Sequence, residues 1–448
     1  MPEEYDLIVI GGGPGGVAAA RKAAAHGKRA LVIENAGWGG TCANHGCIPT
    51  KALLTCSKHF ADLKKLKRLG INVADPAVDF SAIKKHQQQA VKIAALGAHK
   101  TLADGQVETK FGTGEITSPR EVQYKDAEGN IKTFSAANII IAWGAKPQLL
   151  PQIRPSERIL TSDDLLKLEK LPESIVIIGA SVIGVEFATC YAELGVKVTL
   201  VELLDRILPY EDQDAAGLLR QELTRLGVSI HTAAKLENIT DTGDSVVARV
   251  QAGSEQLEKI ANYALLCTGR KPLLHEEELD KLKIEYTKAG IKVDKNMMTN
   301  VAGVYAVGDV TGGLMLAHRA ALMGEIAAGH ISGEDTISYN ENFIPAVVYS
   351  HPQIARVGDI RESAEVQVRK SEYSANIIAR MELVTNGFVK AFFRDGKIIG
   401  ATIVGEEAAE LIAPLTLAVC EEMTEKQLRA WIIAHPTLSE IFTGLFSG

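Results

Sequence analysis

Two stretches of the chain have the same arrangement of hydrophobic and small residues. Residues 5–10 form a short β-branched run, which a glycine-rich turn and an alanine-rich segment follow. Residues 29–34 then form a second apolar run that ends in an acid. Short apolar runs on either side of a helical segment predict two buried parallel strands joined by a helix. The N-terminal part of the chain therefore predicts one βαβ unit.

The same order returns in the middle of the chain. Residues 174–178 are apolar, residues 179–184 form a second turn bounded by glycines, and residues 196–202 again end in an acid. The first glycine and the final acid are 23 residues apart in both units. The sequence therefore predicts two dinucleotide-binding folds.

The other segments suggest how these units are connected. Residues 49–102 predict helices and residues 107–141 predict strands. Segments 139–147 and 263–272 end in Gly and Pro and suit crossings between domains. From about residue 341 strands and then helices predict a separate α+β domain. The expected bounds are 1–147 and 271–340 for the two parts of the first domain, 148–270 for the second domain and 341–448 for the C-terminal domain.

Composition excludes several classes of protein. The 448 residues suffice for several domains, and 48 basic against 55 acidic residues give a net charge of −7. A net negative charge does not attract a nucleic acid or an anionic membrane, both of which are negatively charged. Six cysteines are too sparse for a secreted disulfide framework, and no uncharged apolar run is long enough to cross a bilayer. We expect a cytoplasmic protein with no nucleic-acid partner and no membrane insertion.

The first glycine turn has the context of a dinucleotide site. Gly11, Gly13 and Gly16 follow a strand and open a helix, and Glu34 ends the next strand. Such glycines let backbone N–H groups approach a pyrophosphate, and such a carboxylate accepts hydrogen bonds from a ribose. A purely structural glycine turn is the alternative.

The second turn departs from this pattern at one position. Ser181 replaces the middle glycine between Gly179 and Gly184, and its side chain narrows the approach to a phosphate. Glu202 favours a free ribose 2′-hydroxyl and therefore NAD over NADP, whereas Arg206 could soften that preference.

Two cysteines stand five residues apart before a predicted helix. Cys42 and Cys47 lack the additional paired ligands that a metal site would want, and Gly46 permits the tight turn of a short bridge. A redox-active pair is favoured over two unpaired buried thiols or a metal site, because a helix start stabilises a thiolate. The other cysteines lie in apolar segments and are expected to fill the core: Cys56, Cys190, Cys267 and Cys420.

Residues 39–54 resemble the active-site signature of the pyridine-nucleotide disulfide oxidoreductases. This flavoprotein family includes dihydrolipoamide dehydrogenase, glutathione reductase and mercuric reductase. Further motifs of the family follow in order along nearly the whole chain, at 11–34, 179–202, 268–272, 307–311, 316–320, 348–352 and 435–440.

The resemblance implies an α/β fold with two Rossmann-like dinucleotide-binding domains, for FAD and NAD, and a C-terminal α+β dimerisation domain. It implies a homodimer. On the FAD side it implies Gly11, Gly13, Gly16, Glu34, Lys51, Gly144, Asp309 and Ala317. On the NAD side it implies Gly179, Gly184, Glu186, Glu202 and Gly269, with Glu186 expected to pair with Lys51.

The resemblance also assigns the catalytic groups. Cys42 matches the thiol that exchanges with substrate, and Cys47 matches the thiol that faces the flavin. His435 would come from the other subunit as a general base, oriented by Glu440. From the residues alone, a histidine before proline is an ordinary surface or capped residue.

Within the family, Glu202 and the motif around His435 most resemble dihydrolipoamide dehydrogenase. The expected reaction is oxidation of dihydrolipoamide, or of a lipoyl-domain protein, to the lipoyl disulfide with reduction of NAD and without a metal. One alternative is an enzyme that uses NAD(P)H to reduce another small disulfide, an oxidant such as hypothiocyanite, or a metal ion. A second alternative is a non-enzymatic flavin-binding protein. Trp143, where relatives usually carry Thr, and His45, between the two cysteines, depart from the family pattern.

Overall fold

The computed structural model describes residues 3–335 and 337–446. The strands are β1 (Glu3–Ile10), β2 (Ala30–Glu34), β3 (Glu108–Phe111), β4 (Thr113–Ser118), β5 (Glu121–Lys125), β6 (Ile131–Ile141), β7 (Ala145–Pro147), β8 (Ile159–Thr161), β9 (Ser174–Ile178), β10 (Lys197–Val201), β11 (Ser229–His231), β12 (Ala234–Asp241), β13 (Val246–Ala252), β14 (Glu255–Ala261), β15 (Tyr263–Leu266), β16 (Arg270–Pro272), β17 (Tyr286–Thr287), β18 (Gly290–Ile291), β19 (Val304–Ala306), β20 (Ala346–Val348), β21 (Gln353–Gly358), β22 (Gln367–Glu372), β23 (Phe388–Arg394) and β24 (Lys397–Gly405).

The helices alternate with these strands in the two nucleotide units. They are α1 (Pro14–Ala25), α2 (Gly40–His45), α3 (Cys47–Leu66), α4 (Phe80–Asp104), α5 (Ser162–Leu165), α6 (Val182–Glu193), α7 (Gln213–Arg225), α8 (Glu276–Leu282), α9 (Ala317–Ile331), α10 (Ile377–Met381), α11 (Ala408–Cys420), α12 (Glu425–Arg429) and α13 (Thr443–Phe446). Short 3₁₀ helices cover Lys67–Leu69, Gly308–Thr311, Glu341–Phe343, Tyr373–Ala375 and Leu438–Phe442.

The chain forms two compact units. The first comprises the described residues of 3–52, 84–148 and 270–339, and the second those of 53–83, 149–269 and 340–446. The domain bounds expected from the sequence stay a prediction.

The first unit contains a sheet in the order β3-β2-β1-β6-β5-β4, with β19 parallel to the end of β6. Strand β1 pairs in parallel with β2 and β6, as a βαβ unit requires. Alternate residues of β1 pack on opposite faces of the sheet. Ile8 and Ile10 lie in one apolar cluster, and Leu7 and Val9 lie in another with residues of α1 and α9. Burial on both faces explains why residues 7–10 of β1 are all apolar.

The second unit repeats this arrangement and adds two antiparallel sheets. Its parallel sheet has the order β11-β10-β9-β15-β8, and β12, β13 and β14 form an antiparallel sheet. The C-terminal sheet has the order β20-β21-β24-β23-β22, and α11 packs on it within one apolar cluster. The apolar runs at 346–349, 387–393 and 397–404 and the helical pattern at 408–422 predict β20, β23, β24 and α11, but no sequence pattern predicts β21 and β22. Five of the six residues of β22 are polar and none is fully buried, so no alternation of apolar and polar positions marks it as a strand.

A buried ion cluster lies in the second unit. The Lys390 ammonium, on β23, is 3.0 Å from Asp212 and 2.8 Å from Asp214 at the start of α7, and also contacts Glu362. Lys390 and Asp212 are both under 10% exposed. Burial alone would lower the pKa of Lys390, but the hydrogen bonds to Asp214 and Asp212 raise it above its ordinary value.

Replacing Lys390 with alanine is expected to destabilise the second unit by about 3–5 kcal/mol, because Asp212 would keep a buried charge without its main counter-ion. Urea unfolding followed by circular dichroism measures the effect. Lys370→Ala is the matched control, because Lys370 is exposed, pairs with Glu372 at the surface and lies 4.3 Å from the Phe388 ring centroid, so about 1 kcal/mol or less is expected. Equal effects of the two substitutions would contradict a special role of burial.

Among the described residues, no helix combines the length and the apolar character needed to cross a bilayer.

Candidate functional site

The first glycine turn is so tight that two of its positions can hold only glycine. Gly11 has φ +115°, and a Cβ atom built there would lie 2.2 Å from the carbonyl oxygen of Ala142. A Cβ on Gly16 would lie 2.0 Å from the carbonyl oxygen of Gly11. Neither position has space for a side chain, because the turn packs directly on the end of β6 and on itself.

The start of α1 faces open space. Gly13 is the N-cap, and the nearest atom to a Cβ built there is 3.9 Å away. Pro14, the first helical residue, has no N–H group to lose. The free N–H groups and the positive end of the helix dipole therefore suit a phosphate group.

Glu34 closes the turn from the neighbouring strand. Its buried carboxylate accepts hydrogen bonds from the backbone N–H groups of Gly12 at 2.6 Å, Ala36 at 2.6 Å and Gly37 at 2.9 Å. Three bonds leave acceptor capacity on this carboxylate for ribose hydroxyl groups. The backbone thus fixes the carboxylate where a nucleotide ribose would bind.

The second unit reproduces this geometry. A Cβ on Gly179 would lie 2.3 Å from the carbonyl oxygen of Cys267, and one on Gly184 would lie 1.9 Å from that of Gly179. The Glu202 carboxylate accepts a 2.6 Å hydrogen bond from the Ala180 N–H, which is the counterpart of the bond from Gly12 to Glu34.

Ser181 and Arg206 have local explanations. Ser181 is the N-cap of α6, and its side chain makes no capping hydrogen bond. The Arg206 guanidinium donates to the backbone carbonyls of Pro209 at 2.5 Å and Glu211 at 3.1 Å. These bonds hold the Arg206 guanidinium to its own loop.

The remaining residues expected on the NAD side lie in the same unit. Glu186 is buried on α6 and accepts a 3.0 Å hydrogen bond from the Tyr349 N–H. Gly269 follows β15 with φ +101°.

The two cysteines lie beside the first nucleotide turn. Gly39 donates a 2.8 Å backbone hydrogen bond to Gly12, and a Cβ on Gly40 would lie 2.8 Å from the Cα atom of Gly13. Because there is no space for a side chain at Gly40, only glycine allows this close packing of the short helix α2, which carries Cys42, against the turn. In the sequence, the two consecutive glycines before Cys42 indicate that α2 packs closely against the nucleotide turn.

The Cys42 and Cys47 side chains interact directly. A hydrogen bond with Cys47, together with burial, raises the pKa of Cys42 above its ordinary value, and the nearby Lys51 acts in the opposite direction. The raised pKa favours the thiol form of Cys42. Cys47 is the first residue of the 20-residue helix α3, whose dipole stabilises a thiolate there.

The other four cysteines differ in exposure. Cys190 and Cys267 are buried, and burial raises the pKa of each thiol, whereas Cys56 and Cys420 are only half-buried. Within the described residues, no cluster of three or more His, Cys, Asp or Glu side chains could hold a metal ion.

Asp309 lies in the 3₁₀ helix that follows β19. Burial raises the pKa of its carboxyl group, while Arg270 and Arg319 lower it. Gly15 of α1 packs against the backbone of Ala320 near the start of α9, which begins at Ala317. Two guanidinium groups around one carboxylate leave a net positive charge, which fits a cofactor with a diphosphate. Arg270 and Arg319 lie in the motifs at 268–272 and 316–320, but their residue types alone predicted no role for them.

Gly144 and Trp143 lie at the end of β6. Gly144 has φ +78°, and its carbonyl accepts a 3.0 Å hydrogen bond from the Leu273 N–H. The Trp143 ring lies 4.4 Å from the ring of His275 and packs on the apolar cluster of one sheet face. The departure at Trp143 is thus accommodated by core packing. His45 is exposed at the end of α2.

His435 and Glu440 form a pair at the C-terminus. The His435 Nδ1 is 2.9 Å from one Glu440 oxygen, and the other oxygen accepts a 2.9 Å hydrogen bond from the Thr437 N–H. The bonds from His435 and Thr437 lower the pKa of Glu440. With Nδ1 directed to the carboxylate, Nε2 is the nitrogen that accepts a proton. The His435 side chain is 74% exposed, which leaves its Nε2 accessible to solvent.

A family model described as pyridine nucleotide-disulphide oxidoreductase matches residues 5–324, and a model of the dimerisation domain of such proteins matches residues 344–445. The chain belongs to the pyridine nucleotide-disulphide oxidoreductase family. The fold class expected from the sequence is confirmed, and FAD and NAD are the cofactors.

Several named relatives match almost the whole chain. Dihydrolipoyl dehydrogenases from Chlorobaculum parvum and Bacillus subtilis are 36% and 37% identical, and each comparison covers 98% of this chain and 95% of the relative. The crystal structure of LpdA from Mycobacterium tuberculosis is 30% identical, with a TM-score of 0.92 over 99% of both chains. The HOCl-induced flavoprotein disulfide reductase RclA from Escherichia coli is 28% identical, with a TM-score of 0.86 over 99% of both chains.

Proposed function

We propose that this protein is a dihydrolipoyl dehydrogenase, which oxidises dihydrolipoyl groups to the cyclic disulfide and reduces NAD. The observation that carries the proposal is the Cys42–Cys47 pair, held against the first nucleotide turn with Cys42 lining a cavity. The relatives named dihydrolipoyl dehydrogenase support it, because they match over nearly the full length.

The chemistry begins with the oxidised pair. A dihydrolipoyl thiolate attacks the Cys42 sulfur, the Cys42–Cys47 bond breaks, and Cys47 leaves as a thiolate. The second substrate thiol, once deprotonated, attacks the substrate sulfur bound to Cys42 and releases the lipoyl disulfide. Two electrons and two protons leave the substrate, and the cysteine pair gains both electrons. The start of α3 stabilises the Cys47 thiolate, in agreement with the raised pKa of Cys42.

The bound flavin supplies the two-electron link between a thiolate and a nicotinamide. We propose that the α1 N-terminus and Arg270 bind the FAD diphosphate, that Glu34 binds its ribose, and that Asp309 binds its ribitol. Lys51 would lie near the ring. In the second unit, the turn from Gly179 to Gly184 and Glu202 would bind NAD. Further cofactor contacts are proposed at Gly11, Gly13, Gly16, Gly144 and Ala317 for FAD, and at Glu186 and Gly269 for NAD.

The base would come from a second copy of the chain. The match to the dimerisation domain supports a homodimer. We propose that His435 of the partner subunit accepts the substrate thiol protons at Nε2, while Glu440 of the partner subunit stabilises the imidazolium. The cytoplasm is the proposed location.

Reduction of a different acceptor is the alternative function. It is favoured by the likeness to RclA, one of whose structures is described as a Cu(II) complex. The protein would then use NADH or NADPH to reduce an oxidant, a small disulfide or a metal ion.

One anaerobic experiment tests the two functions. Dihydrolipoamide is added to the holoenzyme, the visible spectrum is recorded, and NAD is then added while NADH formation is followed. A long-wavelength thiolate-to-flavin band and rapid NADH formation are expected. If NADH reduces the flavin but dihydrolipoamide does not, the proposed substrate is wrong and the alternative is favoured.

Replacing Glu202 with alanine is expected to reduce the preference for NAD over NADP by about 10- to 100-fold. The substitution removes a hydrogen-bond acceptor for the ribose and the charge that repels a 2′-phosphate. The ratio of kcat/KM for the two nucleotides measures the effect. Glu258→Ala, on exposed strand β14, is the control and should leave the ratio unchanged. An unchanged ratio in the Glu202 variant would refute its assignment.

A further inference from the structure

The loop that joins β10 to α7, residues 202–212, begins at Glu202 and returns to the second nucleotide turn. The Glu202 carboxylate accepts hydrogen bonds from the N–H groups of Ala180 at 2.6 Å and Leu204 at 2.9 Å. Further along the loop, the Leu208 N–H donates a 2.9 Å hydrogen bond to the carbonyl oxygen of Ala180. Both the beginning and the middle of this β10–α7 loop are therefore bound to Ala180, so the shape of the loop fixes the direction of the Glu202 carboxylate.

The backbone of the β10–α7 loop is strained where the loop turns back. Leu208 is 2% exposed and has φ +48°, in the left-handed region that residues other than glycine seldom adopt. Such a conformation raises the free energy of the chain and persists only where the surrounding structure holds it. The loop therefore needs contacts beyond its own backbone to keep this shape.

Two arginines supply such contacts. The Arg206 guanidinium donates hydrogen bonds to the backbone carbonyls of Pro209 and Glu211 and so closes the second half of the loop. The Glu211 carboxylate lies 3.0 Å from the Arg356 guanidinium on β21, and these two side chains are 6% and 17% exposed. Burial raises the pKa of Glu211, whereas the charges of Arg356 and Arg206 act in the opposite direction. Both guanidinium groups therefore stabilise the buried Glu211 carboxylate in its charged form.

The contact at Arg356 joins the β10–α7 loop to a different part of the second unit. Arg356 lies on β21, which pairs with β20 and β24 of the C-terminal sheet. Its guanidinium is largely buried and its charge is paired with Glu211. Arg356 is therefore suited to act on the shape of the loop and not on a bound ligand.

We propose that Arg206, Glu211 and Arg356 are positioning residues for NAD, which hold the β10–α7 loop in the shape that presents the Glu202 carboxylate to the nucleotide ribose. This inference rests on the NAD site proposed at Glu202 and adds three residues that act on it through the loop. Without these contacts the strained loop relaxes, and only a fraction of the molecules keeps the binding shape. The apparent dissociation constant of NAD then rises in inverse proportion to that fraction.

The test is the binding of NAD to the oxidised holoenzyme, measured by isothermal titration calorimetry. No dithiol is present, so no electrons are transferred during the measurement. Arg356→Met and Arg206→Met should each raise the dissociation constant of NAD by about 10-fold, which corresponds to about one molecule in ten with the binding shape. The double variant should bind NAD about as weakly as either single variant, because both substitutions act on one loop.

Two further readouts separate positioning from a general loss of structure. The KM for NAD should rise about 10-fold in both single variants, whereas kcat and the KM for dihydrolipoamide should stay within about twofold. Without NAD, the amide hydrogens of residues 203–210 should exchange faster than in the wild-type protein, because the loop opens more often. Arg356→Lys keeps a cation beside Glu211 and should recover most of the affinity for NAD.

Arg369→Met is the matched control. Arg369 lies 2.7 Å from Glu425 in the same unit, and these side chains are 18% and 23% exposed, so the variant loses an ion pair of similar burial. Neither residue belongs to the β10–α7 loop, so the affinity for NAD should be unchanged. Glu202→Ala, measured in the same way, tests the nucleotide site itself.

The outcomes separate the positioning role from the proposed NAD site. If Glu202→Ala weakens NAD binding but Arg356→Met or Arg206→Met does not, the positioning role is refuted and the site stands. Equal weakening by Arg369→Met would also refute it, because the effect would then be a general loss of stability. If Glu202→Ala leaves NAD binding unchanged, the proposed site is refuted and the positioning role with it. Arg206→Met alters only a half-buried side chain of the loop, so it decides the question if Arg356→Met does not fold.

Discussion

Cys47→Ser is expected to lower kcat/KM for dihydrolipoamide oxidation by at least about a thousandfold while FAD remains bound. Serine cannot form the disulfide that accepts the substrate electrons, so Cys42 has no partner to displace. Flavin binding should persist, because the diphosphate and ribose contacts proposed for α1 and Glu34 are unaltered. NADH formation measures the loss, and the flavin absorbance of the purified protein measures retention.

Cys42→Ser is the matched comparison. It should abolish turnover equally, but it keeps Cys47 at the start of α3, where the helix favours the thiolate. The Cys42 variant should therefore retain a long-wavelength thiolate-to-flavin band, and the Cys47 variant should lack it. A band of equal strength in both variants would contradict the assigned roles, and so would normal turnover in either.

Co-expression of Cys42→Ser with His435→Gln subunits is expected to restore activity that neither variant has alone. His435→Gln by itself should reduce turnover by about 10²–10⁴-fold, because it removes the general base. In a mixed dimer one site combines an intact Cys42 with an intact His435 of the partner subunit. Random pairing makes about a quarter of all sites complete.

Turnover per bound flavin in the co-expressed protein measures this restoration. The control combines Cys42→Ser with Cys47→Ser, both of which damage the same half of the site. No mixed dimer of these variants contains a complete cysteine pair, so activity should not return. If the mixture with His435→Gln remains inactive although mixed dimers form, the base does not come from the partner subunit.

The two nucleotide units could be predicted because their signal is local. In each unit a strand, a tight turn, a helix and a second strand follow one another within about 30 residues. Gly16 and Gly184 are required by contacts within the turn itself, because a Cβ there would lie 2.0 and 1.9 Å from the carbonyl oxygens of Gly11 and Gly179. Glu34 and Glu202 accept hydrogen bonds from the corresponding turn N–H groups. Such contacts impose residue types at fixed spacing, and the sequence displays them.

The spacing of Cys42 and Cys47 in the sequence also indicated a pair. The sequence did not show which of the two thiols is more readily deprotonated. The sequence alone left a redox pair, two unpaired thiols and a metal site open. The order of stability of the two thiolates depends on the hydrogen bond between them, on burial and on the position of Lys51, which are properties of the folded chain.

The sequence by itself determined the fold class and the two dinucleotide units, and it led to the hypotheses of a redox-active cysteine pair and of a preference for NAD at Glu202. Only the tertiary structure showed that Arg206 is held by its own loop, that Trp143 packs against the core, and that Arg21 and Glu325 line one cavity with Cys42. The last two features join residues from separate elements, and Arg21 and Glu325 are about 300 positions apart. Long-range contacts of this kind depend on helix packing, which imposes no fixed spacing on the sequence.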